Sequence, residues 1–143
     1  MPYRYLEDIA IADAAFEAWG ADPEEMFRSS ADALLNVMVD DPAAVRPAEE
    51  IRVTLRSDDS ELLLFSFLNE LVFLKDSRQL LLRAVSVEFP RGADGTSLRA
   101  VLKGERIDAQ RHPLLADVKA VTLHRYRVEK NGDGWRAVVV LDI

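Results

Sequence analysis

Three carboxylates bear most directly on the chemistry this sequence could perform. Asp13 sits within Ile9-Ala-Ile-Ala-Asp-Ala-Ala-Phe16. Small apolar neighbours would partly desolvate it there and leave it needing a cation or hydrogen bonds. The bland alternative is an exposed residue on an amphipathic element. Asp142 follows the apolar run Ala137-Val-Val-Val-Leu141 and precedes Ile143, so its side chain lies beside the α-carboxylate of Ile143. Such a pair either frays into water or is organised around a cation. Were Asp13 to join it, three hard oxygen donors would converge, a set that suits Ca²⁺ or Mg²⁺ better than a softer metal.

Lys119 opens the run Lys119-Ala-Val-Thr-Leu-His-Arg-Tyr126. Strand periodicity puts Lys119, Val121, Leu123 and Arg125 on one face, with Ala120, Thr122, His124 and Tyr126 on the other. A lysine at a strand end is ordinarily a solvated charge, and His124 is ordinarily structural. Asn69 and Glu70 interrupt a strongly apolar stretch, so each needs a partner from a neighbouring strand end or from a functional site.

Other chemistries are excluded. The 143 residues contain no cysteine, which removes disulfides, thiolate metal sites and a cysteine nucleophile. Two histidines are too few for a three-histidine zinc site. No nucleophile elbow, phosphate-binding glycine loop or dinucleotide fingerprint appears. The net charge of −7 opposes unaided binding to a phosphate backbone. Arg125 and Arg127, with little aromatic interleaving, are a weak RNA-binding signal, so no direct contact with nucleic acid is expected. No apolar run reaches the roughly 20 residues of a membrane span. The first eight residues lack the apolar core of an export signal, and a cytoplasmic location is the expectation.

The elements that must position these residues are mostly legible. Asp22-Pro-Glu-Glu25 is an acidic cap with proline at the first helical position, which predicts a helix from about Pro23 to Val39. Phe27, Ala31, Leu34, Leu35 and Met38 form its core face. Ile51 to Arg56 alternates as a half-buried strand. Asp58 and Glu61 form a capping pair for a helix covering about Ser60 to Lys75, apolar almost all round and therefore central. Strands follow at Leu80–Phe89, Leu98–Lys103, Val118–Lys130 and Trp135–Ile143. Arg91–Gly95 and Asn131-Gly-Asp-Gly134 supply the turns between neighbours. The sum is one α+β domain spanning residues 1–143, a mainly antiparallel sheet with two principal helices on it. Leu6 to Trp19 is ambiguous between helix and strand.

The order of several short motifs resembles the archease family. They are Ala12-Asp13, Ala18-Trp19-Gly20 before Asp22-Pro-Glu-Glu25, Leu68-Asn-Glu-Leu71, His112-Pro113, Asp117-Val-Lys-Ala-Val-Thr122 with His124, and Leu141-Asp-Ile143. Archeases usually have His-Thr-Ala-Asp at the first site, whereas Ile9-Ala-Ile-Ala12 precedes Asp13 here. The resemblance implies a strand, not a helix, within Leu6–Trp19. It also implies a non-enzymatic cofactor of the GTP-dependent RNA ligase that joins 3′-phosphate or 2′,3′-cyclic phosphate ends to 5′-hydroxyl ends in tRNA splicing and RNA repair. Such a cofactor promotes ligase guanylylation and multiple turnover. By the same resemblance Asp13, Asp142 and the main chain of Ile143 bind a divalent metal, Ca²⁺ first with Mg²⁺ or Mn²⁺ as alternatives, and Lys119 takes part in activation. Two other classes remain open. One is a small metal-dependent phosphoester hydrolase using Asp13, Asp142 and Lys119 with His124 as base. The other is a metal-independent chaperone or adaptor.

Overall fold

Capping chemistry fixes where both helices begin. In the computed structural model, which describes residues 2–6, 13–90 and 97–143, α1 runs Pro23–Met38. The Asp22 carboxylate accepts the Glu25 N–H at 2.8 Å, and Glu25 reaches back to the Ala21 N–H. Helix α2 runs Ser60–Arg78, three residues further than its sequence predicts. Its cap is Asp59, not Asp58: the Asp59 carboxylate accepts the Glu61 N–H. Two adjacent aspartates are interchangeable in a local pattern, and only the backbone geometry selects between them. At the far end Gln79 adopts a left-handed conformation and stops the helix.

The strands are β1 (Tyr3–Tyr5), β2 (Ala14–Gly20), β3 (Glu49–Arg56), β4 (Leu80–Glu88), β5 (Ser97–Arg106), β6 (Ala120–Asn131) and β7 (Gly134–Asp142). They divide into two antiparallel sheets, ordered β1-β2-β7-β6 and β3-β5-β4. The α+β class and the strand at β2 therefore hold. The short β1 is not foreseen by the sequence pattern, and the predicted turn at 91–95 and the segment 9–12 lie outside the described residues. Helix α1 touches β2 in one sheet and β4 in the other, while α2 touches β6 and β4. The two helices thus share a core with both sheets, and Phe16, Phe67, Leu34, Leu68, Leu98 and Leu141 are fully buried in it. Gly20 is required where β2 meets α1, because a Cβ there would lie 2.5 Å from the Met26 nitrogen. Gly132, at φ +60°, makes the β6–β7 turn that the sequence predicts.

Between β5 and β6 the chain is fastened by a buried histidine. His112 Nδ1 accepts the Asp108 N–H at 2.9 Å, and Nε2 lies beside Arg111 and Glu105. Burial, then the Arg111 charge, lowers the His112 pKa below its ordinary value. Protonating Nδ1 would also abolish its acceptor role. The unfolded chain therefore takes up a proton at a higher pH than the fold does. The stabilisation is complete above about pH 6.5 and is lost as the pH falls toward the lower folded value. Thermal melts from pH 7.5 to 5.0 should show a falling Tm, and His112→Gln should flatten that slope. An unchanged slope would dismiss the buried histidine as its source.

Candidate functional site

The four-stranded sheet decides which candidate residues meet. Strand β7 lies between β2 and β6, with Ala14 opposite Leu141 and Ala120 opposite Asp142. One step beyond the Ala14–Leu141 pair, the same register sets Asp13 abreast of Asp142. Directly opposed residues in such a pair have Cβ atoms about 5 Å apart. On the other flank the Lys119 N–H donates to the Asp142 carbonyl at 2.8 Å. Asp13, Asp142 and Lys119 therefore sit at one end of one sheet although 129 positions separate the aspartates in sequence. All three are exposed, and Ile143, at 36% exposure, continues past them.

Helix α2 holds this sheet end in place through two polar side chains in its apolar surface. The Asn69 amide donates to the Phe65 carbonyl, and its oxygen accepts the Val121 N–H at 3.2 Å. This is the partner that a polar residue in the apolar helix requires. Lys75, 5% exposed, donates to Asp117 at 2.5 Å and to the Val118 carbonyl at 2.7 Å, and pairs with Asp76 at 2.7 Å. Burial alone would lower its pKa, but the bonds to Asp117 and Asp76 more than offset this and raise it. The ammonium is thus held charged within the apolar layer. Lys75 escapes the sequence analysis, although its place four residues after Leu71 on an apolar helix is a readable signal of burial.

Other candidates do not join the cluster. Regular alternation through β6 fails, because the register shifts between Thr122 and Arg127. His124 lies exposed in that irregular stretch, its backbone N–H on Thr122 Oγ1. Among the described residues its ring bonds neither aspartate. Glu70 stays partly exposed on α2 and His112 is taken up in the β5–β6 connection. Among the described residues no group of three or more His, Cys, Asp or Glu side chains is arranged to hold a metal. What the sheet end offers is two hard carboxylates, a lysine, and main-chain oxygens at its edge.

The chain matches the model of the archease protein family over residues 3–143. It is 37% identical over 142 residues to protein archease of Methanosarcina mazei, covering 99% of this chain and 95% of that one. Against protein archease of Archaeoglobus fulgidus it is 36% identical, covering all of both chains. The solution structure of Methanobacterium thermoautotrophicum protein 1598 superposes with a TM-score of 0.85 at 34% identity, over 99% of each chain. The crystal structure of a Thermotoga maritima archease, described as a possible chaperone, has a TM-score of 0.66 at 21% identity over 94% and 93% of the two chains, and shares the fold.

Removing either clamp should loosen the sheet end. Asn69→Leu orphans the Val121 N–H and should cost about 1–2 kcal/mol in urea unfolding. Lys75→Met orphans the Val118 carbonyl and should cost about 1–3 kcal/mol; its aspartates face water and are not stranded. In both variants the Lys119 and Val121 amides should exchange with deuterium faster relative to those of α1. Uniform acceleration across all amides would show global destabilisation with no local clamp.

Proposed function

This chain belongs to the archease family, and on that premise we propose that it is a protein cofactor, not itself an enzyme, of the GTP-dependent RNA ligase that joins 3′-phosphate or 2′,3′-cyclic phosphate ends to 5′-hydroxyl ends. It promotes guanylylation of the ligase and its repeated turnover in tRNA splicing or RNA repair. The observation that supports this most is the meeting of Asp13, Asp142 and Lys119 at one exposed sheet end.

An acidic protein is poorly suited to hold RNA and well suited to dock at the basic mouth of an RNA-processing enzyme. An exposed sheet end can reach into such a mouth. The donor set fits a hard divalent cation: Asp13, Asp142 and the main chain of Ile143 would hold Ca²⁺ first, with Mg²⁺ or Mn²⁺ as alternatives. Two side-chain carboxylates leave most of a six- to eight-oxygen shell for water or for phosphate oxygens of a nucleotide. When bound, such an ion supplies positive charge to phosphate oxygens. Lys119 adds a second positive charge as a compact point donor.

The test is single-turnover guanylylation of the ligase from the same organism at limiting GTP and Mn²⁺, with and without stoichiometric chain. Wild type should accelerate it. Asp13→Ala, Asp142→Ala and Lys119→Ala should each remove about tenfold or more of the acceleration while melting like wild type. Full acceleration by all three would overturn the proposal. Separately, saturating Ca²⁺ should raise the Tm by roughly 5–10 °C when present at about a hundred times its Kd, and chelation should reverse it. No shift with Ca²⁺, Mg²⁺ or Mn²⁺ would favour the metal-independent adaptor.

A further inference from the structure

The outer face of the four-stranded sheet, away from both helices, carries an arginine cluster that ligase activation as proposed does not use. Opposed positions form two rows across the strands. Arg4, Glu17, Val138 and Arg127 make one; Trp19, Arg136 and Glu129 make the next. Glu17 is buried and bridged by Arg4 at 2.8 Å and Arg136 at 3.3 Å, and Arg136 also meets Glu129 at 3.1 Å. With Arg125, four arginines face two glutamates, a local positive surface on a chain of net charge −7. Among the described residues no carboxylate pairs with Arg125 or Arg127. The Arg136 Nε is buried without a hydrogen-bond partner, an orphan donor of the kind native interiors rarely leave.

The fold fixes this arrangement at a local cost. Between Thr122 and Arg127 strand β6 takes five steps while β7 takes two, from Val140 to Val138. Arg125 is held in the excess at φ +53°, a left-handed conformation unfavourable for any residue but glycine. Tyr126 anchors the bulge: its hydroxyl donates to the Glu61 carbonyl and accepts the Phe65 N–H. The result is a cavity of about 430 Å³ lined by Arg125, Arg127, Arg136, Glu17, Leu6 and Val138. A second cavity of about 440 Å³ shares Arg136 and Glu17 with it and is lined by Trp19 and Trp135.

We propose that these adjacent cavities, which share Arg136 and Glu17 in their walls, bind a nucleotide phosphate, with the oxyanion among Arg125, Arg127 and Arg136 and the base against Trp19. Guanidinium forks suit phosphate oxygens, and an indole face beside them suits a base. The phosphate can come from a free nucleoside triphosphate or from the 3′-phosphorylated end of an RNA strand. This site goes beyond the ligase cofactor role, and its test needs no ligase.

Both tryptophans of the chain line these cavities, so intrinsic fluorescence, checked by isothermal titration, reports occupancy. The purified chain is titrated with GTP, ATP, and short oligoribonucleotides ending in 3′-phosphate or 3′-hydroxyl. Saturable binding is expected, weakened about tenfold or more in Arg127→Ala. Arg99→Ala, the same charge change in the other sheet, should leave it unaltered. Triphosphate binding alone assigns free nucleotide; preference for the 3′-phosphate over the 3′-hydroxyl strand assigns an RNA end. If Arg127→Ala does not fold by circular dichroism, Arg125→Ala, on the exposed bulge, replaces it. No saturable binding, an equal loss in Arg99→Ala, or RNA binding indifferent to the terminal phosphate without triphosphate binding would each overturn the proposal.

Discussion

A buried ammonium decides how the second half of this chain hangs on the first. Lys75 lies in the apolar layer between α2 and the start of β6, where an unpaired charge would be untenable. It is satisfied from the segment Asp117–Val118 and from Asp76 beside it. The next residue, Lys119, bonds the Asp142 backbone, and two further on Val121 bonds Asn69. The polar groups of one helix thus set where β6 begins, and β6 with β2 sets where β7 presents Asp142. Small errors in that chain of contacts would separate the carboxylates without unfolding anything.

The same sheet separates its charges. Its exposed end is acidic at Asp13 and Asp142, while its outer face is arginine-rich around Val138, four residues and about 14 Å further along β7. A molecule of net charge −7 therefore has one surface that would repel a phosphate without an intervening cation and another that would attract it directly. Net charge is a statement about solubility and long-range steering. It says little about a particular face, and the low RNA affinity expected from composition is a statement about the molecule as a whole.

Where local chemistry dominates, the elements were legible. Helix α1 is stated by Asp22-Pro-Glu-Glu25 and its core stripe, and the β6–β7 turn by Asn131-Gly132. Burial of α2 follows from its uniform apolarity, and the need for a partner at Asn69 from its polarity. The bulge in β6 was not legible, because Leu123-His-Arg-Tyr126 alternates acceptably and nothing local penalises a regular strand there. Tyr126 reaching Glu61 and Phe65 is what diverts it. The choice of Asp59 over Asp58 likewise rests on backbone direction.

Apart from β1 and the strand state of β2, the segments, the class, the absence of thiol and polyhistidine chemistry, and the candidates Asp13, Lys119, Asp142 and Ile143 could be read from the sequence alone. These follow from residue type and from periodicities that act over a few positions. That Asp13 lies abreast of Asp142, that Lys119 flanks it, and that Arg125, Arg127 and Arg136 surround one cavity comes from the three-dimensional fold. Those are matters of strand register between segments distant in the chain. Register is set by the collective fit of the core and by buried polar groups finding partners, which no local pattern encodes.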